Sequence, residues 1–266
     1  MEMQSQGAGT GEATLWAARV GLGLALIGLI MEVASGWGYR HGWWGLRVAL
    51  RYLFAYGGVV AIVACVVSLV VLALAIGTKS RGAALALLGV VAGAVPGVLF
   101  YRQYRLARSV PPINDVATDL TNPPGYVTAA TNDFWKGKDM SYPAGFADSV
   151  RRGYPDLGSL VLPVSAAKAY GLAHATAMGM SGWEVTGRDS AGGGGGGRGS
   201  GGGRIDATAT TAWFGFKDDV VIRVTPRGAD SAVVDMRSKS RVGKSDVGAN
   251  AARIRDYFAA LKQAAR

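Results

Sequence analysis

The sequence predicts a membrane-anchored protein: three transmembrane helices, then an α+β domain made of an antiparallel sheet with two helices packed on one face. Three observations predict it. The 266 residues are 50% apolar and only 17% charged, against roughly 25% charge in an average soluble domain, and the mean hydropathy is +0.22. Three apolar stretches within residues 1–108 reach the roughly 20 residues of a bilayer span. Beyond Ser109 the composition changes, and four alternating segments precede an amphipathic helix. Such hydrophobicity excludes a disordered chain. The organisation read from these shifts is a transmembrane region at 1–108, an extended, loop-rich lead-in at 109–163, and an α+β domain at 164–266 with a glycine-rich loop at 191–203.

The first span runs from about Leu15 to Ala34. Arg19 lies near its start and Glu32 near its end, so both charges are expected to reach the headgroups. Its acidic leader (Glu2, Glu12) lacks the basic region of a cleavable signal. The second span, from about Leu53 to Ile76, holds no charge. The third, from about Ala83 to Tyr101, carries Gly89, Gly93 and Gly97 at four-residue spacing. They share a face that permits close backbone contact, within this bundle or in a dimer. Pro96 is predicted to kink this helix. Between the first two spans, Ser35–Arg51 holds Trp37, Tyr39, Trp43 and Trp44 beside Arg40, Arg47 and Arg51. That composition suits an anchor in the headgroup layer; an aromatic cage for a cation is the alternative. No ionisable residue is predicted at mid-span, which leaves a transporter no residue for a proton or ion pathway.

The formal net charge of +10 invites a nucleic-acid reading. The excess, however, sits mostly around the apolar segments: residues 1–108 hold 9 Lys/Arg against 3 Asp/Glu, and residues 109–266 hold 19 against 15. That distribution fits membrane topology better than a phosphate-binding surface, and no nucleic-acid reader motif is present. The expected partner is the lipid bilayer. Six Lys/Arg on the side of the Ser35–Arg51 loop and of Arg102, Arg105 and Arg108 oppose three (Arg19, Lys79, Arg81), which places the carboxyl-terminal domain in the cytoplasm. One cysteine, Cys65, and two histidines, His41 and His174, exclude an internal disulfide, a CxxC site and a histidine-rich zinc site. No metal or cofactor is predicted.

In the soluble part, Val110–Asp115 is extended, because each proline disfavours helix in the residue before it. Asn122-Pro123-Pro124-Gly125 marks a turn. Residues 126–163 lack a clear period and read as loop with short elements. Ser165 caps a helix that continues to about Met178 and contains His174. Trp183–Arg188 is the first strand, and the glycine run after it reads as an expanded hairpin loop. Strands on both sides deny that run the strand–loop–helix setting of a nucleotide site. In Arg204–Phe214, Ile205, Ala207, Ala209 and Trp213 share one face, and Asp206, Thr208 and Thr210 the other. Asp219–Thr225 places Val220, Ile222 and Val224 opposite Val221, Arg223 and Thr225. Ala232–Val242 places Val234, Met236, Ser238 and Ser240 opposite Asp235, Arg237, Lys239 and Arg241. Short links imply an antiparallel meander. Gly243 ends the last strand, and Ser245 or Asp246 caps a helix over Val247–Ala265. Its stripe of Val247, Ala251, Ile254, Phe258 and Leu261 should cover the apolar sheet face. The other sheet face is expected either to be solvated, with cross-strand ion pairs, or to form a recognition surface for an anion or acidic partner, for which arginine is well suited.

Three segments carry a resemblance: P-P-I-N-D-V-A-T-D-L-T-N-P-P (111–124), W-F-G-F-K-D-D-V-V-I-R-V (213–224) and V-D-M-R-S-K-S-R-V-G-K-S-D-V-G-A-N-A-A-R-I-R (234–255). Together they resemble the bacterial family of the domain of unknown function 1499, over residues 109–266, and the three-helix leader resembles its multi-pass members. The resemblance implies a multi-pass protein of the bacterial inner membrane and no assigned activity. Other members look exported or lumen-facing, which opposes the charge count and leaves the side open. The glycine run departs from the family's usual short hairpin. Positions matching the motif are Asp115, Thr118, Asp119, Arg237, Ser238, Ser240, Arg241, Gly243, Ser245, Asp246, Asn250 and Arg253.

Two functional expectations follow. The first is a membrane-tethered binding or assembly domain of the cell envelope, without a catalytic role, that takes an anionic ligand or an envelope protein. Arg237, Arg241 and Arg253 would be its anion contacts, paired by Asp115 and Asp119. A purely structural role explains several of the same residues: Gly243 as a turn, Asp246 as a cap, and Asp119–Arg237 as a buried pair fixing the leader on the sheet. The second is a metal-independent hydrolase using Asp115 or Asp119 as base and Ser238 or Ser240 as nucleophile. Against it, the chain has no G-x-S-x-G elbow and no Cys–His pair, and Glu184 is the one glutamate of the domain.

Overall fold

The computed structural model describes residues 2–190 and 202–266; the predicted glycine loop lies outside the described residues as far as residue 201. The chain divides into two compact units, Met1–Arg105 with Trp213–Gly215, and Leu106–Ala212 with Phe216–Arg266.

The first unit is built on α1 (Glu2–Arg40), a π-helical segment (Val48–Ala55) continuous with α2 (Tyr56–Gly77), and α3 (Ala83–Ser109). Three helices, Gly11–Arg40, Val48–Gly77 and Ala83–Ser109, are long and apolar enough to cross a membrane. Each runs past its apolar stretch, because polar residues continue a helix readily where no breaker intervenes. α1 ends only where Gly42 takes φ +73°. There Trp43 N–H bonds the Gly38 carbonyl at 2.8 Å and Gly42 N–H the Tyr39 carbonyl at 3.0 Å, the paired bonds of a Schellman stop. The loop predicted over Ser35–Arg51 is therefore confined to residues 41–45, and Trp37 and Tyr39 ride on α1.

Small residues form the seam of this unit. A Cβ on Gly28 would lie 2.8 Å from the Gly57 carbonyl, and one on Gly93 would lie 2.7 Å from the Ala61 carbonyl. The glycine stripe of α3 thus serves packing between these helices, and α3 continues through Pro96. Ile30, Val63, Val66, Leu74, Leu88 and Val91 point outward, each more than half exposed, which is the arrangement a lipid solvent favours. One expectation is corrected. Glu32 does not sit at a helix end reaching for headgroups; it is 2% exposed, with α1 extending two further turns beyond it.

In the second unit the sheet contains β1 (Asp115–Ala117), β2 (Leu160–Leu162), β3 (Trp183–Ser190), β4 (Gly203–Thr210), β5 (Lys217–Pro226) and β6 (Ala232–Ser240). The order is β1-β6-β5-β4-β3, and β2 also pairs with β6. All pairings are antiparallel. The four longer strands are the predicted meander. β1 and β2 lie along one edge of β6, opposite residues 237–239 and 232–234, and each is too short to show a period in sequence.

The predicted helix layer forms on one face. α5 (Ala166–Gly179) is capped by Ser165, whose hydroxyl accepts from Lys168 N–H at 3.4 Å. Ala169, Ala173 and Ala177 face inward on α5 and allow a close approach. α6 (Ala249–Ala264) buries Ala251, Ile254, Tyr257, Phe258 and Leu261 in one apolar core that also holds Ile205, Val220, Ile222, Val224 and Met236 of the sheet. Tyr257 stacks on Trp183 with ring centroids 5.5 Å apart and donates to the Ala173 carbonyl at 2.8 Å. Val247, assigned to this stripe from sequence, precedes α6 with φ +53°, and Trp213 lies beyond the end of β4. A short helix, α4 (Phe146–Gly153), belongs to the lead-in.

Candidate functional site: a sealed ionic layer

The other sheet face is not open to solvent. Strand alternation brings Asp206 and Thr208 from β4, Asp219 and Arg223 from β5, and Asp235, Arg237 and Lys239 from β6 to that face, with Arg241 just beyond. Residues 118–142 lie over them. Asp206, Asp219, Asp235 and Arg237 are each no more than 3% exposed. The expected solvated or recognition face is thereby corrected to an interior layer. The physical reason is that an unperiodic lead-in, rich in backbone donors and aromatic rings, can satisfy charges that a helix could not.

The centre is Asp115, fully buried. Arg237 donates to both its oxygens, from Nε at 2.9 Å and from Nη2 at 2.7 Å, and Lys239 Nζ donates at 3.0 Å. Arg237 also reaches the Met140 carbonyl at 2.8 Å. Its guanidinium lies over the rings of Tyr126 and Tyr142, at 4.9 and 5.2 Å from their centroids, a stacked cation–π arrangement. Burial pushes the Tyr142 phenol up to about 12. For Arg237, burial alone would favour loss of its proton, but the Asp115 hydrogen bonds hold its pKa above the ordinary value.

Two flanking clusters complete the layer. Asp219 is gripped by Arg241 through Nε at 2.9 Å and Nη2 at 2.7 Å, by the Trp135 indole at 2.6 Å and by the Thr208 hydroxyl at 3.1 Å. Arg223 bridges Asp119 at 2.8 Å and Asp235 at 2.9 Å; Asp235 further accepts from Ser159 and from Thr118. Burial alone would raise the Asp119 carboxyl, yet the Asn122 and Thr121 backbone N–H groups and Arg223 hold it below its ordinary value. Asp206 Oδ2 accepts the N–H groups of Val127 at 2.8 Å and Thr128 at 2.6 Å, pinning the lead-in to β4.

The remaining motif residues lie on the helix-facing side of β6. Ser238, fully buried, donates to Asn250 Oδ1 at 2.7 Å and accepts from Arg253 at 3.0 Å. Arg253 also pairs with Asp218 at 2.5 Å. Asn250 Nδ2 donates to the Ser240 hydroxyl and the Asn114 carbonyl, both at 3.1 Å. Ser245 accepts from Val247 N–H, and Asp246 accepts from Gly248 N–H at 2.9 Å and Asn250 N–H at 2.8 Å. These bonds let Val247 and Gly248 hold left-handed φ angles at the start of α6. Gly243, at φ +86°, gives its carbonyl to Asn114 Nδ2 at 2.8 Å. Burial raises the Asp246 carboxyl, opposed by the Asn250 and Gly248 N–H bonds.

The motif is thus divided by strand parity. Asp115, Thr118, Asp119, Arg237 and Arg241 lie on one side of β6; Ser238, Ser240, Asn250 and Arg253 lie on the other. The buried pair expected between Asp119 and Arg237 is corrected: Arg237 pairs with Asp115, and Asp119 with Arg223. Arg253 cannot share an anion surface with Arg237 and Arg241, because the sheet stands between them. Sequence reasoning missed Tyr126, Trp135 and Tyr142, whose only signal was aromatic residues beside turns, and it missed Asp218 and Asp219, adjacent residues that serve opposite faces.

A helix-backed antiparallel sheet bearing a sealed ionic layer, joined to helices long and apolar enough to span a bilayer, defines a multi-pass membrane protein with one compact α+β domain. The family model described as "Protein of unknown function (DUF1499)" matches residues 115–261, and the chain belongs to that family. No curated protein and no solved structure matches the chain.

Proposed function

We propose that the chain is a membrane-tethered binding or assembly domain of the bacterial cell envelope, in which the family motif builds the scaffold and does no chemistry. One observation carries this reading: the carboxylates and the serine hydroxyls that a hydrolase would combine are committed to internal partners on opposite sides of β6. Asp115 is held by Arg237 and Lys239, and Ser238 is held by Asn250 and Arg253. A general base must lie within hydrogen-bond reach of its nucleophile, and this arrangement separates them by the thickness of the sheet. Recognition then falls to the outer surface of the domain, with an envelope protein as the partner class. The bias of Lys/Arg toward the side of Arg102, Arg105 and Arg108 supports a cytoplasmic domain.

The test uses the purified full-length protein, a serine-directed fluorophosphonate and panels of esters and phosphate esters. The expected result is no adduct on Ser238 or Ser240 and no turnover, while crosslinking in intact membranes gives one reproducible protein adduct that Ser238→Ala retains. An adduct on either serine would replace this reading with the hydrolase. An active alkaline phosphatase fused after Arg266 would reverse the orientation.

A further inference from the structure

We infer that one rim of the first unit, where the π-helical segment begins and α3 ends, binds the phosphates of anionic phospholipids through Arg47, Arg51, Arg102 and Arg105. The inference does not rest on the function proposed for the soluble domain. It starts from charge. Residues 33–114 hold eight Lys/Arg and no Asp or Glu, so this stretch supplies no anion to balance its own cations. Arg47, Arg51, Arg102 and Arg105 are exposed, and among the described residues none of them pairs with a carboxylate. They lie at one end of the unit. α2 and α3 run antiparallel, with Gly89 against Ser68, Gly93 against Ala61 and Gly58 against Phe100. Phe54 meets Phe100 edge to face, ring centroids 6.1 Å apart. Arg47 and Arg51 precede Phe54, and Arg102 and Arg105 follow Phe100, so both pairs continue past that contact in the same direction.

The local backbone groups the arginines. The π-helical segment Val48–Ala55 is a rare geometry that falls largely at functional sites. It keeps Tyr52 and Tyr56 together, ring centroids 5.8 Å apart, and Arg47 and Arg51 share their four-residue spacing. On α3, Arg102 and Arg105 are three residues apart and neighbours on the helix surface. Arg105 donates to the Tyr101 hydroxyl at 3.2 Å with its guanidinium 5.9 Å from the ring centroid, which holds it beside the phenol. Guanidinium forks match phosphate oxygens bidentately. What adjoins the arginines sets the occupant. Val59 and Val63 on α2, and Val98 and Leu99 on α3, are exposed. Tyr56 and Tyr101, also exposed, fall between them and the arginines along the chain, the order of an apolar band, an aromatic girdle and a charged rim. A free phosphate would leave that apolar surface bare, whereas a phospholipid covers it with acyl chains while its headgroup meets the guanidiniums. A zwitterionic headgroup brings an ammonium toward four cations; an anionic one does not, and the rim therefore selects the anionic lipid.

The experiment reconstitutes the full-length protein in liposomes of equimolar phosphatidylglycerol and phosphatidylcholine, extracts it in mild detergent, and identifies the retained lipids by native mass spectrometry. Phosphatidylglycerol is expected to be retained in preference, and the preference to weaken as salt is raised, since exposed charges are screened. Arg51→Gln and Arg102→Gln are each expected to lower the preference about fivefold, the share of one basic residue at an anionic surface. Lys79→Gln, at the opposite end of α2, is expected to leave it unchanged. A phosphatidylglycerol with a photoreactive headgroup should label residues 47–56 and 101–105 in the wild type, a result that stands even if a variant inserts poorly. No preference for phosphatidylglycerol, an equal loss in Lys79→Gln, or labelling confined to other segments would each overturn the proposal. Arginine-dependent binding of inorganic phosphate to the protein in neutral detergent, as tight as that of the lipid, would also overturn it, by assigning the rim to a soluble anion.

Discussion

Replacing Asp115 by alanine would leave two cations, Arg237 and Lys239, facing each other in an interior from which water is excluded. The two side chains are 3% and 9% exposed, and the three donor bonds they make to Asp115 are all 3.0 Å or shorter. Breaking a buried pair by removing one partner costs about 3–5 kcal/mol, and every 1.4 kcal/mol is tenfold in an equilibrium. Backbone amides in residues 118–142 should therefore lose roughly two to three and a half orders of magnitude of hydrogen-exchange protection. The assay is exchange with mass spectrometry on the full-length protein in detergent, with peptides from the membrane helices as an internal control. The triple replacement Asp115→Leu, Arg237→Met, Lys239→Met removes all three charges and should recover most of the loss, since well-packed apolar residues often substitute for buried ions at little cost. If Asp115→Ala lowers protection by less than about tenfold, the layer is hydrated and the claim that it is sealed fails. If the triple variant is as unstable as the single one, packing and not charge holds the lead-in down.

Three further outcomes are expected. Asn250→Leu should cost about 1–3 kcal/mol in thermal or denaturant unfolding, because the buried Ser238 and Ser240 hydroxyls each lose a partner; an unchanged midpoint would show that these two bonds add nothing to stability. Gly93→Ala, whose Cβ would press on the Ala61 carbonyl at 2.7 Å, should lower stability in detergent by about 1–3 kcal/mol, and an increase would mean that the helices are free to separate. Asp119 is held below its ordinary value of 3.8 in the folded protein. Its contribution to stability is complete above that unfolded value and is lost as the pH falls through the lower folded one, so Asp119→Asn should flatten the acid limb of a stability-against-pH curve and leave its slope above pH 5 unaltered.

The meander is legible because the face of β4, β5 and β6 packed against α5 and α6 is apolar over most of its length, with Asp218, Ser238 and Ser240 gathered at one end, so period-two alternation records it. The same alternation separates Ser238 and Ser240 from Arg237, Lys239 and Arg241 in the residue order alone. What covers the charged face is not legible. Residues 118–142 hold their place through backbone N–H groups on Asp206 and through rings over Arg237, neither of which leaves a period. Partner choice is equally hidden: Asp115 meets Arg237 because β1 sets it opposite Lys239, and three residues carry too little pattern to reveal a register. Glu32 is misplaced by sequence because hydropathy ends a span at a charge, whereas a helix ends where its backbone is stopped, here at Gly42.

The alternation of β6 also guards against misassembly. Were this strand to slide by a single residue against β5, the guanidinium of Arg237 and the ammonium of Lys239 would be driven among Ile254, Phe258 and Met236's former neighbours, while valine and methionine would meet stranded carboxylates. Both sides would object at once, so a nascent chain finds no tolerable mispaired hairpin to linger in. A length change within β6 should accordingly be lethal to folding, although the sequence between β3 and β4 runs through a long stretch of glycine.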